Sequence, residues 1–170
     1  MACLLPNDAK TEIDNDYMTP KYAWENIQQY IPKDKIIWEA FMGDGKSGEY
    51  LKELGFNVIH NDNDFFESNE GDVIVSNPPF SKSKEVVFRL KELDKPFILI
   101  LPCSKICTQY FREIFKNTDT PLQIIIPRKI GKMLVILIVF IIVIKWIYRE
   151  ILSGLNKYLY YIILYINGFI

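Results

Sequence analysis

Short apolar runs alternate with helical segments through most of this 170-residue chain. Strands are predicted over residues 35–41, 57–60, 72–76, 97–101 and 122–126, and helices over residues 20–30, 47–54, 83–93 and 109–116. Alternation of this kind is typical of a parallel sheet that is covered by helices on both faces. The sequence therefore predicts an α/β fold with a doubly wound, mostly parallel sheet, which binds ligands at the carboxyl ends of its strands.

Composition changes abruptly near residue 131. Glu150 is the last acidic residue and the only one after residue 132, although the chain has 21. Residues 133–144 are apolar without interruption. We therefore predict a flexible segment over 1–16, a folded core over 17–130 and an atypical apolar, helical tail over 131–170. The tail lacks the alternation and turn residues of the antiparallel hairpin that would complete a sheet of this kind.

Charge and cysteine content exclude several classes of protein. A net charge of -1 gives no overall basic surface, so any contact with nucleic acid must be local. Three cysteines, an odd number, do not form a disulfide framework, and one histidine leaves no convincing metal site. We expect no metal and a reducing, cytoplasmic compartment.

A glycine-rich turn follows the first predicted strand, at residues 41–48. Glycines there admit positive φ angles and close approach of a ligand, and the following helix offers free N–H groups to an anion. Residues 40–47 fit a relaxed phosphate-loop pattern, with Ala40 at the first glycine position and Lys46 and Ser47 at the end. A nucleotide hydrolase, another cofactor-binding protein and a purely structural turn all stay open at this point.

An acidic residue follows the second predicted strand at the distance where dinucleotide-binding folds hold ribose hydroxyls. This residue is Asp62, and Asp64 and Phe65 come next as candidates for holding an adenine ring. A polar turn followed by core phenylalanines is the alternative interpretation. His60, the single histidine, is assigned no role.

The third predicted strand runs directly into Asn77, Pro78, Pro79 and Phe80. Two prolines fix φ and remove backbone donors, so the carbonyl groups there are held rigidly. The Asn77 side-chain oxygen and the Pro78 carbonyl can accept hydrogen bonds from one planar amino group while Phe80 stacks on its ring. Such a site binds an aromatic amine.

Together, the glycine loop, the Asp62 region and the Asn-Pro-Pro-Phe motif resemble the S-adenosylmethionine-dependent amino-methyltransferases, above all the small adenine-specific DNA methyltransferases of phages, large viruses and bacteria. The resemblance spans residues 17–128 and implies a Rossmann-like methyltransferase core with S-adenosyl-L-methionine as cofactor and DNA as partner. It implies a catalytic role for Asn77, Pro78, Pro79 and Phe80. It implies a cofactor-binding role for Tyr17, Thr19, Pro20, Glu39, Phe41, Gly43, Gly45, Asp62, Asp64 and Phe65.

The motif does not fix the substrate, because adenine or guanine in RNA, cytosine and the glutamine amide of a protein also present planar amines. A phosphate-loop hydrolase needs an acid at the end of a later strand to hold magnesium. The strands over 72–76 and 97–101 end in Ser76-Asn77 and Pro102-Cys103 instead. Methyl transfer to adenine N6 in DNA is therefore the favoured function, in the cytoplasm of a cell or, for a viral protein, in a virus factory.

Two interpretations of the tail stay open. A membrane-spanning helix needs about 20 apolar residues, and the run at 133–144 is shorter unless Lys145 is tolerated within it. Alternatively, residues after about Gly131 are translated out of frame, since a one-base shift of AT-rich codons for 136–147 restores acidic and aromatic residues. In that case the chain is an inactive fragment.

Overall fold

The computed structural model describes residues 18–115, 122–126, 138–143 and 160–164. Its α-helices are α1 (Lys21–Ile27), α2 (Lys46–Glu53), α3 (Ser83–Leu93), α4 (Cys103–Ile106) and α5 (Gln109–Phe115). Its strands are β1 (Ile36–Trp38), β2 (Asn57–Ile59), β3 (Val73–Ser76), β4 (Phe97–Pro102), β5 (Leu122–Ile126), β6 (Ile138–Val143) and β7 (Tyr160–Leu164). Single turns of 3₁₀ helix follow α1 at Gln28–Tyr30 and precede α3 at Phe80–Lys82.

The strands form one sheet in the order β2-β1-β3-β4-β6-β5-β7. The first four strands are parallel to one another, with Ile37 opposite both Val58 and Val73. Strand β1 therefore has β2 on one side and β3 on the other, and the chain changes direction across the sheet at β1. The predicted α/β fold with a parallel sheet is confirmed for these four strands and their helices.

Successive side chains of the parallel strands enter two separate cores, as the two-residue period of a strand requires. On one face Trp38, Ile74 and Leu99 pack with α3 and α5. On the other face Ile37 and Ile98 pack with α1 and α2. Helices therefore cover both faces of the parallel sheet.

The prediction of a helical tail is wrong for the tail residues that the structure describes. Strand β6 pairs antiparallel with both β4 and β5, and β7 pairs antiparallel with β5. The reason is the composition of these runs: isoleucine and valine fit a pleated surface well, and an apolar run without polar residues carries no helical period. Within the described segments, no helix is long and apolar enough to cross a membrane.

The start of α1 also differs from the prediction, which began this helix at residue 20. Pro20 is instead the cap residue with an extended backbone, and its carbonyl accepts a hydrogen bond from the Ala23 N–H at 3.0 Å. The Thr19 hydroxyl makes no side-chain cap. Strand β1 is shorter than predicted. After its last residue, the pairing with β2 continues as one hydrogen bond, from the Glu39 N–H to the Ile59 carbonyl at 3.0 Å.

Candidate functional site

A cleft lies at the carboxyl ends of β1 and β3, where the chain changes direction across the sheet. Residues 41–44 and Ser47 line one side, residues 77–80 line another, and Met18 and Thr19 complete it from the chain before α1. Its volume, counted to the open mouth, is about 490 Å³. This is the place in a parallel sheet where ligands bind.

The glycine loop has a backbone that requires glycine at two positions. Gly43 and Gly45 have φ angles of +52° and +84°, in the left-handed region that side chains with a β-carbon disfavour. The Gly45 N–H donates to the Met42 carbonyl at 2.8 Å, which closes the turn. Gly45 is then the cap residue of α2, so its conformation fixes how the loop enters that helix.

Asp44 and Lys46 pair with each other across the start of α2. The Asp44 carboxylate accepts a hydrogen bond from the Lys46 N–H at 3.1 Å and lies 2.9 Å from Lys46 Nζ. Hydrogen bonding to the Lys46 side chain, above all, holds the pKa of Asp44 below its ordinary value. The Asp44 carboxylate lines the cleft with its charge balanced by Lys46, whose own side chain is largely exposed and does not line the cleft.

Residues 77–80 leave β3 and turn directly into α3. The Pro79 carbonyl accepts a hydrogen bond from the Lys82 N–H at 3.0 Å, and the Ser83 hydroxyl donates to the Phe80 carbonyl. These two bonds fix the turn in which the prolines lie. Asn77 and Pro79 are half-buried, and only 3% of Phe80 is exposed, because its ring also belongs to the core shared with α3.

Thr19 is almost wholly buried at the back of the cleft, with 5% of its surface exposed. Its hydroxyl has no hydrogen-bond partner within the described structure. A buried hydroxyl without a partner carries a desolvation cost, which a ligand that hydrogen-bonds to it would remove. Beside it, the sulfur of Met18 packs over Gly43, at 3.4 Å from where a β-carbon would lie.

Glu39 does not line the cleft but lies beneath it in a buried polar network. Its side chain is 1% exposed, and the Ser76 hydroxyl donates to its Oε1. Its Oε2 lies 2.8 Å from Nε2 of His60, whose side chain is 6% exposed. The two atoms are close enough for an ion pair but are not aligned as a linear hydrogen bond.

The environment of His60 favours the charged imidazolium. Interaction with the Glu39 side chain is the main cause, and it holds the pKa of His60 above its ordinary value of 6.5 against the opposing effect of burial. The Lys52 charge lowers this pKa and the Met42 backbone raises it. Glu39 and His60 therefore lie side by side between the end of β1, the end of β2 and the glycine loop, and they form a buried charge pair whenever the imidazole is protonated.

The structure brings seven predicted site residues together in the cleft: Thr19, Phe41, Gly43, Asn77, Pro78, Pro79 and Phe80. Pro20 and Gly45 adjoin it as the cap residues of α1 and α2. Tyr17 lies outside the described residues.

The predicted residues after β2 lie away from the cleft walls. Asp62 is exposed. The Asp64 carboxylate accepts a hydrogen bond from the Phe66 N–H at 2.8 Å, which closes a turn. Phe65 is buried in the core, with its ring centre 4.9 Å from that of Phe41 and 5.5 Å from that of Trp38. Phe65 therefore supports the cleft through Phe41.

Sequence reasoning missed the cleft residues Met18, Met42, Asp44 and Ser47 and the buried partners His60 and Ser76. The first four flank predicted residues, so only the fold shows which of them face the cleft. His60 had a detectable signal, since it is a lone histidine at the end of a strand that has an acid at the end of the neighbouring strand. Gly48 within α2 was a second signal. Glycine destabilises a helix, so a glycine inside one indicates that another group packs closely against its backbone.

Among the described residues, no three acidic, histidine or cysteine side chains gather as a metal-binding group. Comparison with protein-family models and with curated proteins found no match.

Proposed function

We propose that this chain is the catalytic core of an S-adenosylmethionine-dependent methyltransferase that methylates an exocyclic amino group, with adenine N6 in DNA as the substrate. The observation that carries the proposal is that the glycine loop and the Asn-Pro-Pro-Phe turn, 32 residues apart from Gly45 to Asn77, line one cleft together with Thr19. Cofactor and target amine must meet in one place for methyl transfer, and both motifs are there.

The division of the cleft fits two ligands. Thr19 offers a buried hydroxyl that has no partner among the described residues, and this suits the carboxylate or hydroxyl groups of a cofactor. Asn77 and the prolines offer rigid acceptors, which suit an amino group that carries two hydrogens. Holding that amine in line with a methyl group lowers the barrier chiefly through proximity and orientation.

The sheet supports the same proposal. A methyltransferase sheet of the doubly wound type is expected to end in an antiparallel hairpin, and β6 lies antiparallel between β4 and β5. Within residues 17–130, four parallel strands with helices on both faces also fit a Rossmann-like methyltransferase core.

The phosphate-loop hydrolase is less favoured because of Lys46. In a phosphate loop this lysine contacts the β- and γ-phosphates. Here its ammonium group pairs with Asp44 and lies outside the cleft lining. The ends of β3 and β4, at Ser76 and Pro102, also supply no carboxylate for magnesium.

Calorimetric titration of the full chain with S-adenosylhomocysteine and, separately, with ATP tests the proposal. We expect heat of binding with S-adenosylhomocysteine, and loss of that heat in Gly43→Val, which places a branched side chain in a left-handed backbone beside Met18. The exposed Gly55→Val, with the same backbone strain at φ +88° but open space around it, is the matched control and is expected to bind normally. Binding of ATP without S-adenosylhomocysteine would favour the hydrolase.

The substrate class is tested by transfer of a labelled methyl group to duplex DNA, single-stranded DNA, RNA and a glutamine-containing protein extract. We expect label in DNA, at adenine. Activity on single-stranded DNA should exceed that on duplex, because reaching Phe80 from a duplex costs a few kcal/mol of unstacking. Label found in RNA or protein alone would show that DNA is not the substrate.

A further inference from the structure

Three segments of the chain meet at the imidazole of His60, and a fourth is reached through Glu39. Glu39 at the end of β1 lies 2.8 Å from Nε2, and the Met42 backbone in the glycine loop interacts with the same ring. Gly48 in α2 packs against its flat side. Through Glu39, the contact continues to the hydroxyl of Ser76, the residue directly before Asn77. One ring thus touches the glycine side of the cleft directly and the Asn77 side through one carboxylate.

The absence of a side chain at Gly48 leaves the space that the ring occupies. A β-carbon at residue 48 would lie 2.0 Å from Nδ1, 2.4 Å from Cγ and 2.8 Å from Cβ of His60. The Glu39 carboxylate has nowhere else to find a charge partner, since its side chain is 1% exposed. Removing the charge from one member of a buried pair leaves the other uncompensated, which is strongly unfavourable.

The charged groups that face His60 are few. Glu39 is in contact on the side of β1, and Lys52 acts from α2 with the opposite sign. Ser76 on β3 is neutral and bonds to Glu39 only. Glu39 has the largest effect on the pKa of the imidazole and raises it, whereas burial and the Lys52 charge oppose this effect.

We propose that protonated His60 is a positioning residue for the cleft. It holds the glycine loop in register with the strand end that carries Asn77, so that ligand binding weakens when His60 loses its proton. The inference rests on the proposed function for the identity of the ligand, but the coupling between loop and strand end can be measured without any ligand.

Nuclear magnetic resonance of the full chain without ligand is the first test. His60 is the single histidine, so the imidazole signals of histidine-labelled protein report this residue alone. We expect the amide signals of Gly43 and Gly45 and the side-chain amide of Asn77 to shift with the same midpoint as the imidazole. In His60→Gln these shifts should disappear. Loop and Asn77 signals that stay constant while the imidazole titrates would overturn the proposal.

Two further variants keep the imidazole, so the coupling can still be tested if His60→Gln does not fold. Glu39→Gln is isosteric and should lower the pH midpoint of the imidazole titration. Lys52→Ala, on the exposed face of α2, should raise that midpoint. The midpoints of the Gly43 and Asn77 signals should move in the same directions. Midpoints of the loop that do not follow those of the imidazole would contradict the coupling.

Affinity for S-adenosylhomocysteine between pH 5.5 and 8.5 is the second test. We expect binding to weaken about tenfold in the parent protein across the imidazole titration, and to be weak and independent of pH in His60→Gln. A pH-independent affinity in the parent protein would overturn the positioning role and leave the proposed function intact. Coupled loop signals without any S-adenosylhomocysteine binding would support the coupling and overturn the proposed function.

Discussion

Gly48 presents its bare backbone to the imidazole of His60, at a distance where a β-carbon would come within 2.0 Å of Nδ1. Alanine normally stabilises a helix relative to glycine by about 1 kcal/mol. Here we expect Gly48→Ala to lower the free energy of unfolding by about 1–3 kcal/mol, because the ring must leave Glu39 to make room. Denaturant unfolding measures this. In a His60→Ala background the same substitution should be neutral or stabilising, and an equal loss in both backgrounds would contradict the steric explanation.

The buried charge pair predicts how stability depends on pH. Because the folded state raises the pKa of His60, the pair contributes its full stabilisation below the ordinary value of 6.5 and loses it as pH rises through the raised value. We expect the free energy of unfolding to fall across this interval in the parent protein. His60→Gln should show a flatter profile, and taking the difference between the two proteins cancels other titrating groups. Parallel profiles would show that folding does not raise the pKa of His60.

Asn77→Ala is expected to abolish methyl transfer while leaving S-adenosylhomocysteine affinity nearly unchanged. The substitution removes an acceptor for the target amine, and loss of one well-placed polar group in a preorganised site costs about 3 kcal/mol, or a hundredfold or more in rate. Asn57→Ala at the opposite edge of the sheet, where β2 begins, is the matched control. Turnover retained by Asn77→Ala would show that this side chain is structural.

Phe80 has two roles that different substitutions separate. Its ring is 3% exposed and packs in the core, so Phe80→Ala should cost about 3–5 kcal/mol of stability. Phe80→Leu keeps most of the volume and should cost about 1 kcal/mol. If the ring also stacks on the target base, Phe80→Leu should still reduce turnover about tenfold or more. Normal turnover in Phe80→Leu would show that Phe80 packs in the core and does not stack on the target base.

The reading frame of the tail is tested on the gene. The out-of-frame interpretation requires a single-base slip near the codons for Lys129 to Leu134 and an open continuation of the upstream frame. We expect that continuation to encode acidic and aromatic residues at 136–147. Stop codons scattered through that frame would contradict the interpretation. Restoring the frame should then yield a core whose methyl transfer can be assayed directly.

The parallel half of the fold could be predicted from sequence because each element carries a local signal. The apolar runs of β3 and β4, the proline before α1 and the glycine after α2 mark their own boundaries. Pairing between distant strands has no such signal. The position of β6 between β4 and β5 depends on contacts across about forty residues, and its uninterrupted apolar run is compatible with either a helix or a strand.

The candidate site could be predicted where a motif fixes the backbone, and not where side chains meet across the fold. Gly43 and Asn77 were identified because glycine and proline chemistry shows in the sequence itself. The pairing of Glu39 with His60 depends on the register of β1 and β2, which places Trp38 opposite Ile59 and so the next residues side by side. A one-residue shift would separate them, and no sequence pattern fixed that register.

The position of β6 also determines the order in which the sheet can be completed during synthesis. All cleft residues precede residue 81, so the cleft and the four parallel strands can form on a nascent chain of about one hundred residues. Strand β5 follows next but pairs with β6 and β7. The outer edge of β4 therefore stays unpaired until residues 138–143 leave the ribosome. During that interval the outer edge of β4, an apolar strand that is buried in the finished sheet, is open to pairing with another chain.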